Sequence, residues 1–215
     1  MAGYYPIMVD INNKECLVIG GGEVAERKIF SLWEYGAKVT VISPKVTEKL
    51  YKLFQERKIS LIQRIYKEGD MKDYYLVYVA TNDPRVNASC FQEAEREEIL
   101  INVVDQPKLC RFIVPAVIRK GDLTVAVSTN GKSPMLSRKI KEDIEALLDD
   151  VSEEYLDALG ELRNIVMEEV KDINKRKTIF EKIVYSDLPK KLKQGEIKDI
   201  SKAVKSMYQK EKDTL

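Results

Sequence analysis

The sequence predicts an α/β fold in three parts: an N-terminal parallel sheet, a central β-hairpin and a C-terminal helical domain. Three observations predict it. Up to Val104, short apolar runs alternate with segments of helical periodicity, the mark of right-handed crossovers and a doubly wound parallel sheet. From Phe112 the pattern changes to two β-rich runs around a tight turn signal. Beyond Pro134 the chain is Lys/Glu-rich, with Leu, Ile, Val and Tyr at helical spacing.

The elements follow in order. Residues 15–20 form an apolar run ending in glycines, as a strand buried on both faces does. Residues 24–35 place Ala25, Ile29, Leu32 and Trp33 at helical spacing and stop at Gly36, a C-terminal cap. A second strand covers 38–43, Pro44 opens a second helix to about Arg57, and 59–63 is a third strand. Residues 75–80 and 99–104 are further strands, separated by a charged helix over 85–97. The runs 112–118 and 123–129 are joined by the hairpin turn 119–122. Ser133 is a good N-cap with Pro134 at the first helical position, and helix breaks fall near 149–152, 187–189 and 195. The expected domains are 1–111, 112–148 and 149–215. A hairpin on the end of such a sheet leaves an apolar surface and an open edge, which a second copy of the chain covers most economically. We therefore expect 112–148 to be a dimerisation segment and the protein to be a homodimer.

Composition removes several function classes. The 215 residues are 44% hydrophobic and 33% charged, with 36 Lys plus Arg against 35 Asp plus Glu. That balance is globular and too neutral for a nucleic-acid coat. Acids and bases interleave from Glu153 to Lys212, unlike the one-sided basic face of a DNA-reading helix, so no nucleic-acid partner is expected. Histidine is absent, which excludes an imidazole base, Ser–His and Cys–His nucleophiles and His metal ligands. Proton transfer must fall to a carboxylate, Lys, Tyr, Cys or water. Cys16, Cys90 and Cys110 are isolated, with no CxxC pair, so no metal site is expected and a reducing cytoplasm suits them. The Met1–Asp10 segment lacks a basic and apolar leader pattern, and no run reaches the roughly 18 apolar residues of a membrane span. The expectation is a cytoplasmic protein with no membrane partner.

Gly20, Gly21, Gly22, Glu23, Val24 and Ala25 fit G-x-G-x-x-A between the first strand and first helix, the Rossmann-like dinucleotide fingerprint. Gly20 permits the tight turn, Gly22 has no Cβ to block a pyrophosphate, and Ala25 lets helix and strand pack closely. The end of the second strand, where an acid usually holds the ribose, has none. Ser43 is there to bond a ribose hydroxyl or to begin a helix, and Lys45 tolerates a 2′-phosphate, so the residues leave NAD and NADP open. Thr81 leaves the fourth strand at the same edge. Asp105 follows the fifth strand at the carboxyl edge where ligands bind; an Asx turn before Pro107 is the plainer reading. Gly131, Lys132 and Ser133 lack the upstream glycine of a P-loop, since Ala126 stands there. Ser128, Thr129, Lys132, Ser133 and Arg138 equip one stretch for a carboxylate-rich or phosphorylated ligand, or cap a helix with solvated cations beyond it.

Taken together, the blocks at 16–28 (CLVIGGGEVAERK), 80–83 (ATND), 102–105 (NVVD) and 127–134 (VSTNGKSP) closely resemble the precorrin-2 dehydrogenase family, which includes the N-terminal module of siroheme synthase. The resemblance covers roughly residues 1–150. It implies NAD-dependent oxidation of precorrin-2, a tetrapyrrole, to sirohydrochlorin in siroheme biosynthesis, by an intertwined homodimer. It implies that Asp105 is catalytic and that Glu23, Val24, Pro44 and Lys45 contact the nucleotide. It also shifts the cofactor towards NAD, because the family commonly lacks the second-strand acid. Asn130 stands where the family usually has glycine, and asparagine keeps access to left-handed backbone angles. Two alternatives accompany this reading: a bifunctional dehydrogenase and sirohydrochlorin ferrochelatase, and a non-enzymatic nucleotide sensor.

Overall fold

A computed structural model describes residues 3–214, so the first two residues of the Met1–Asp10 segment lie outside it. The chain divides into two compact units, one ending at Val114 and one beginning at Pro115.

The first unit is the parallel sheet. Its strands are β1 (Glu15–Ile19), β2 (Lys38–Ile42), β3 (Ser60–Ile62), β4 (Leu76–Val79) and β5 (Leu100–Val103), in the order β3-β2-β1-β4-β5, every pair parallel. Helices α1 (Glu23–Glu34), α2 (Glu48–Gln55) and α3 (Pro84–Arg96) make the crossovers. Alternation along the strands builds a core on each face. Cys16 and Val18 of β1 and Leu76 and Tyr78 of β4 pack with Ala25, Ile29 and Leu32 of α1 and Leu50 and Leu53 of α2. Leu17 and Ile19, with Val77 and Val79, pack against Cys90 and Ala94 of α3. Burial pushes the Cys16 thiol up to about 11 and Cys90 up to about 12, so both serve as small hydrophobes. The order reverses between β1 and β4, and the crevice at that switch point is where open α/β sheets take ligands.

In the second unit, β6 (Ala116–Lys120) and β7 (Leu123–Val127) form an antiparallel hairpin. Its two-residue turn begins at Gly121, whose φ of +57° suits the first position of a type II′ turn. Helix α4 (Pro134–Leu147) packs on both strands. Helices α5 (Glu153–Glu169), α6 (Ile173–Val184), α7 (Leu188–Lys193) and α8 (Ile200–Thr214) close around Leu162, Val166, Ile179, Ile183, Val204 and Tyr208.

Three boundaries differ from the sequence expectation. Helix α2 starts at Glu48 rather than Pro44, because the Ser43 hydroxyl donates to the Lys45 carbonyl at 2.6 Å and turns the chain there. Thr47 then supplies the cap, accepting from the Leu50 amide at 3.3 Å. The hairpin starts at Ala116 rather than Phe112. The Phe112 carbonyl is held by the Asn102 side chain at 3.0 Å and its ring packs edge-on against Tyr78, which ties 112 to the first unit's core. A break at 170–172, absent from the expectation, separates α5 from α6; Val170 is extended and Asp172 caps the next helix through the Lys175 amide.

Candidate functional site

A cleft of about 530 Å³ opens at the carboxyl ends of β1, β2 and β4. Its floor is the glycine turn. Gly20 has φ +122° and a Cβ there would lie 2.3 Å from the Ala80 carbonyl oxygen, so the chain crosses β4 at a distance only glycine allows. At Gly21 a Cβ would meet the Lys45 carbonyl oxygen at 2.3 Å and Ser43 Oγ at 2.9 Å. At Gly22 a Cβ would meet nothing within 4 Å, so that position faces open space. Helix α1 starts there with no capping side chain, whereas Thr47, Asp83, Ser133, Ser152 and Asp172 cap α2 to α6. An open glycine beside an uncapped helix N-terminus of 12 residues fits a pyrophosphate, which would satisfy the first amides and the positive end of the dipole.

The loop after β2 is fastened to this turn. The Thr47 amide donates to the Gly21 carbonyl at 3.0 Å, and its hydroxyl donates to Glu26 Oε2 at 2.6 Å. Lys49 Nζ donates to Glu26 Oε1 at 3.0 Å. The Thr47 hydroxyl and then Lys49 hold the Glu26 carboxyl below the usual carboxylate range. Its folded pKa is depressed, so its contribution to stability is present above pH ~4 and is lost as pH falls through the lower folded value. Glu26→Gln is expected to lose about 1.5 kcal/mol at neutral pH, the scale of a hydrogen bond to a charged group, and to show a flatter dependence below pH ~4. Urea unfolding of both proteins across that range checks it; parallel pH curves contradict the assignment.

Of the residues expected to hold a nucleotide, Gly20, Gly22, Ser43, Pro44, Lys45 and Thr81 line the cleft. Ala25 lies in the core beneath it, as its packing role requires. Glu23 and Val24 sit in the first turn of α1, exposed and outside the lining. Among the described residues the end of β2 carries Ser43 and no carboxylate, with the Ser43 proton committed to the Lys45 carbonyl. The Thr81 hydroxyl donates to Asn87 Oδ1 at 2.7 Å, and Asn87 is buried on α3. Sequence reasoning missed Gly21, which the G-x-G pattern treats as free, and Ile65 and Tyr66 from the loop after β3. The signal for Gly21 was the unbroken run of three glycines, of which it is the middle one; the loop gave none.

Asp105 stands beyond β5 in the turn after Val103, exposed, at φ +59°, and outside the cleft lining. Its charge acts on Lys28 of α1, whose ammonium lies 5.3 Å over the Tyr78 ring. Burial, then Arg27, lowers the Lys28 pKa, against the opposing pull of Asp105. In the second unit, Ser128 Oγ accepts from the Asn130 amide at 3.0 Å and Thr129 Oγ1 from the Ser133 amide at 2.9 Å. Ser133 caps α4 through the Leu136 amide at 3.3 Å. These hydroxyls shape the loop, in which Asn130 and Gly131 both have positive φ and Lys132 is exposed. Arg138 pairs with Glu142 at 2.9 Å along the helix. Among the described residues, no three of the Cys, Asp and Glu side chains are grouped to hold a metal ion, and no helix is long and apolar enough to cross a membrane.

Comparison with known proteins agrees with this geometry. Residues 7–116 match the family described as "Putative NAD(P)-binding", and 120–147 the one described as "Sirohaem biosynthesis protein central". The siroheme synthase of Nitrosococcus oceani is 32% identical over 203 residues, covering 94% of this chain and 43% of that protein. Siroheme synthase 2 of Yersinia enterocolitica is 35% identical over 184 residues, 86% of this chain and 39% of that one. The chain thus spans about two fifths of the length of these curated relatives. The solved structure of SirC, precorrin-2 dehydrogenase, superposes with a TM-score of 0.78 at 25% identity, covering 96% of this chain and 100% of that one.

Proposed function

The chain belongs to the "Putative NAD(P)-binding" family, in the form that carries the sirohaem-biosynthesis central segment, as its precorrin-2 dehydrogenase motifs indicated; on that premise we propose that it oxidises precorrin-2 to sirohydrochlorin with NAD in siroheme biosynthesis. The observation that carries the reading is the likeness to SirC, precorrin-2 dehydrogenase, over 96% of this chain. Anaerobic turnover of precorrin-2 with NAD tests it.

Dehydrogenation takes one hydride and one proton from the substrate. The nicotinamide, when bound, supplies the hydride acceptor. The chain's own residues do the rest. Gly20 and Gly21 let the turn pass close to Ala80 and Lys45, Gly22 leaves the space a pyrophosphate would occupy, and the amides of α1 would meet its charge. Ser43, Pro44 and Lys45 with Thr81 would border the rest of the dinucleotide from the cleft, and the family resemblance adds Glu23 and Val24 from the first turn of α1, outside that lining. The end of β2, without an acid and with Lys45 exposed beside it, selects neither NAD nor NADP by itself, and the preference for NAD rests on the family resemblance. Asp105, at the carboxyl edge of the sheet, takes the proton, a task that no histidine can share. Ser128, Thr129 and Ser133 shape the loop that presents Lys132, and with Arg138 these form the set proposed for the substrate's carboxylates.

We place the protein in the cytoplasm, which its free thiols support, and assign it a homodimeric state. The division at 1–111, 112–148 and 149–215 describes these roles. In the hairpin, Ile118 is buried, while the neighbouring cross-strand pair Val117 and Ala126 is only half-buried to exposed. Met135 and Leu136 of α4 are exposed as well. A second copy of the segment is the economical cover. Sedimentation at micromolar concentration is expected to give the dimer mass; the monomer mass contradicts it.

A further inference from the structure

Helix α3 carries a buried carboxylate that the chemistry above does not use. Glu93 is 1% exposed, on a helix whose composition reads as a solvated charged face. Burying an ionised carboxylate is expensive unless its oxygens are satisfied. Here the Gly69 amide donates to Oε2 at 2.9 Å, the Met71 amide to Oε1 at 2.9 Å, and the Tyr66 hydroxyl to Oε2. No ion pair reaches it among the described residues. All three donors lie on the loop between β3 and β4.

That loop has its own fastening. Arg64 holds Asp70 through two bonds of 2.6 and 2.8 Å, and the Lys67 amide donates to Asp70 at 2.7 Å. Its backbone shape therefore does not need the Tyr66 hydroxyl. Tyr66 packs on the core beneath α3 and also lines the cleft, beside Ile65, which is 66% exposed. Burial, and then the bond to Glu93, push the Tyr66 phenol far above its ordinary value, so it stays a donor at any physiological pH. In this sheet order β3 lies beyond β2, on the side where the second-strand end meets the adenosine ribose. A wall built at the end of β3 therefore borders the adenosine half of a dinucleotide.

We propose that Glu93 is a positioning residue that locks Tyr66 as the adenosine-side wall of the cleft, and that this lock sets dinucleotide affinity. The inference rests on the cleft being the NAD site. Glu93 touches no reacting atom; it acts through Tyr66.

The test is calorimetric titration of the full chain with NAD and, separately, with ADP-ribose, which keeps the adenosine, pyrophosphate and second ribose and lacks only the nicotinamide, alongside steady-state kinetics. Tyr66→Ala is expected to raise the Kd of both ligands about tenfold. Tyr66→Phe keeps the ring and loses the anchor, and is expected to raise both about threefold or more. In both, KM for NAD rises and kcat holds. Glu93→Gln is expected to match Tyr66→Phe in affinity while also lowering thermal stability; should it fail to fold, the Tyr66 variants still decide. Absence of NAD binding by the unaltered protein overturns the nucleotide reading itself. Normal NAD binding with unchanged Kd in the Tyr66 variants, or a loss for NAD without one for ADP-ribose, overturns the lock alone.

Discussion

Replacing Asp105 by asparagine is expected to cut dehydrogenase turnover by about 10²–10⁴-fold, the usual contribution of a positioned general base, while NAD binds as before. The choice of asparagine follows from the backbone. Asp105 sits at φ +59°, the left-handed region that aspartate and asparagine enter more readily than other side chains. Asp105→Asn therefore keeps the turn and removes only the ability to accept a proton. Asp105→Ala would add a backbone cost of roughly 1–2 kcal/mol and confuse the two effects. The side chain is exposed and outside the cleft lining, so the cofactor does not need it for binding. Stopped-flow or steady-state turnover with matched NAD titration checks the pair of expectations. An asparagine variant that keeps more than about a third of wild-type activity, far above the ~10²-fold loss of a missing base, returns Asp105 to a turn residue.

Gly22→Val is expected to abolish measurable NAD binding and to leave the fold intact. Gly22 has φ −82°, which any residue adopts, and a Cβ there meets nothing within 4 Å. The branched side chain would instead occupy the space beside the α1 amides. Gly20→Ala is the contrasting case. With φ +122° and a Cβ position 2.3 Å from the Ala80 oxygen, it must move β1 or β4 and so lower stability, by roughly 1–3 kcal/mol. Gly22 thus tests binding and Gly20, two residues before it, tests folding. Thermal melts beside NAD titrations separate them; Gly22→Val with wild-type affinity contradicts the cradle.

Much of the fold was legible because buried parallel strands write themselves as apolar runs. Residues 16–19 and 76–79 alternate between two cores and are buried on both faces. The glycine turn was legible for a related reason, since its close approaches admit one residue type. Helix starts were harder. Pro44 looked like a first helical position, but the Ser43 hydroxyl goes to the Lys45 carbonyl, and Thr47 takes the cap through bonds to residues far away in sequence. The break at 170–172 escaped because Asp172 resembles the many other acids of a Lys/Glu-rich tail. Glu93 was illegible for the same reason at longer range: its donors Tyr66, Gly69 and Met71 precede it by more than 20 residues. Asp105 was legible in place but not in role, because an Asx turn and a general base put the same residue at the same edge.

The most direct measurement is an anaerobic incubation of the purified protein with precorrin-2 and NAD, following NADH and the sirohydrochlorin spectrum together. The account predicts equimolar appearance of both, dependent on NAD and abolished in Gly22→Val. No NADH and no sirohydrochlorin from a protein that binds NAD would contradict it.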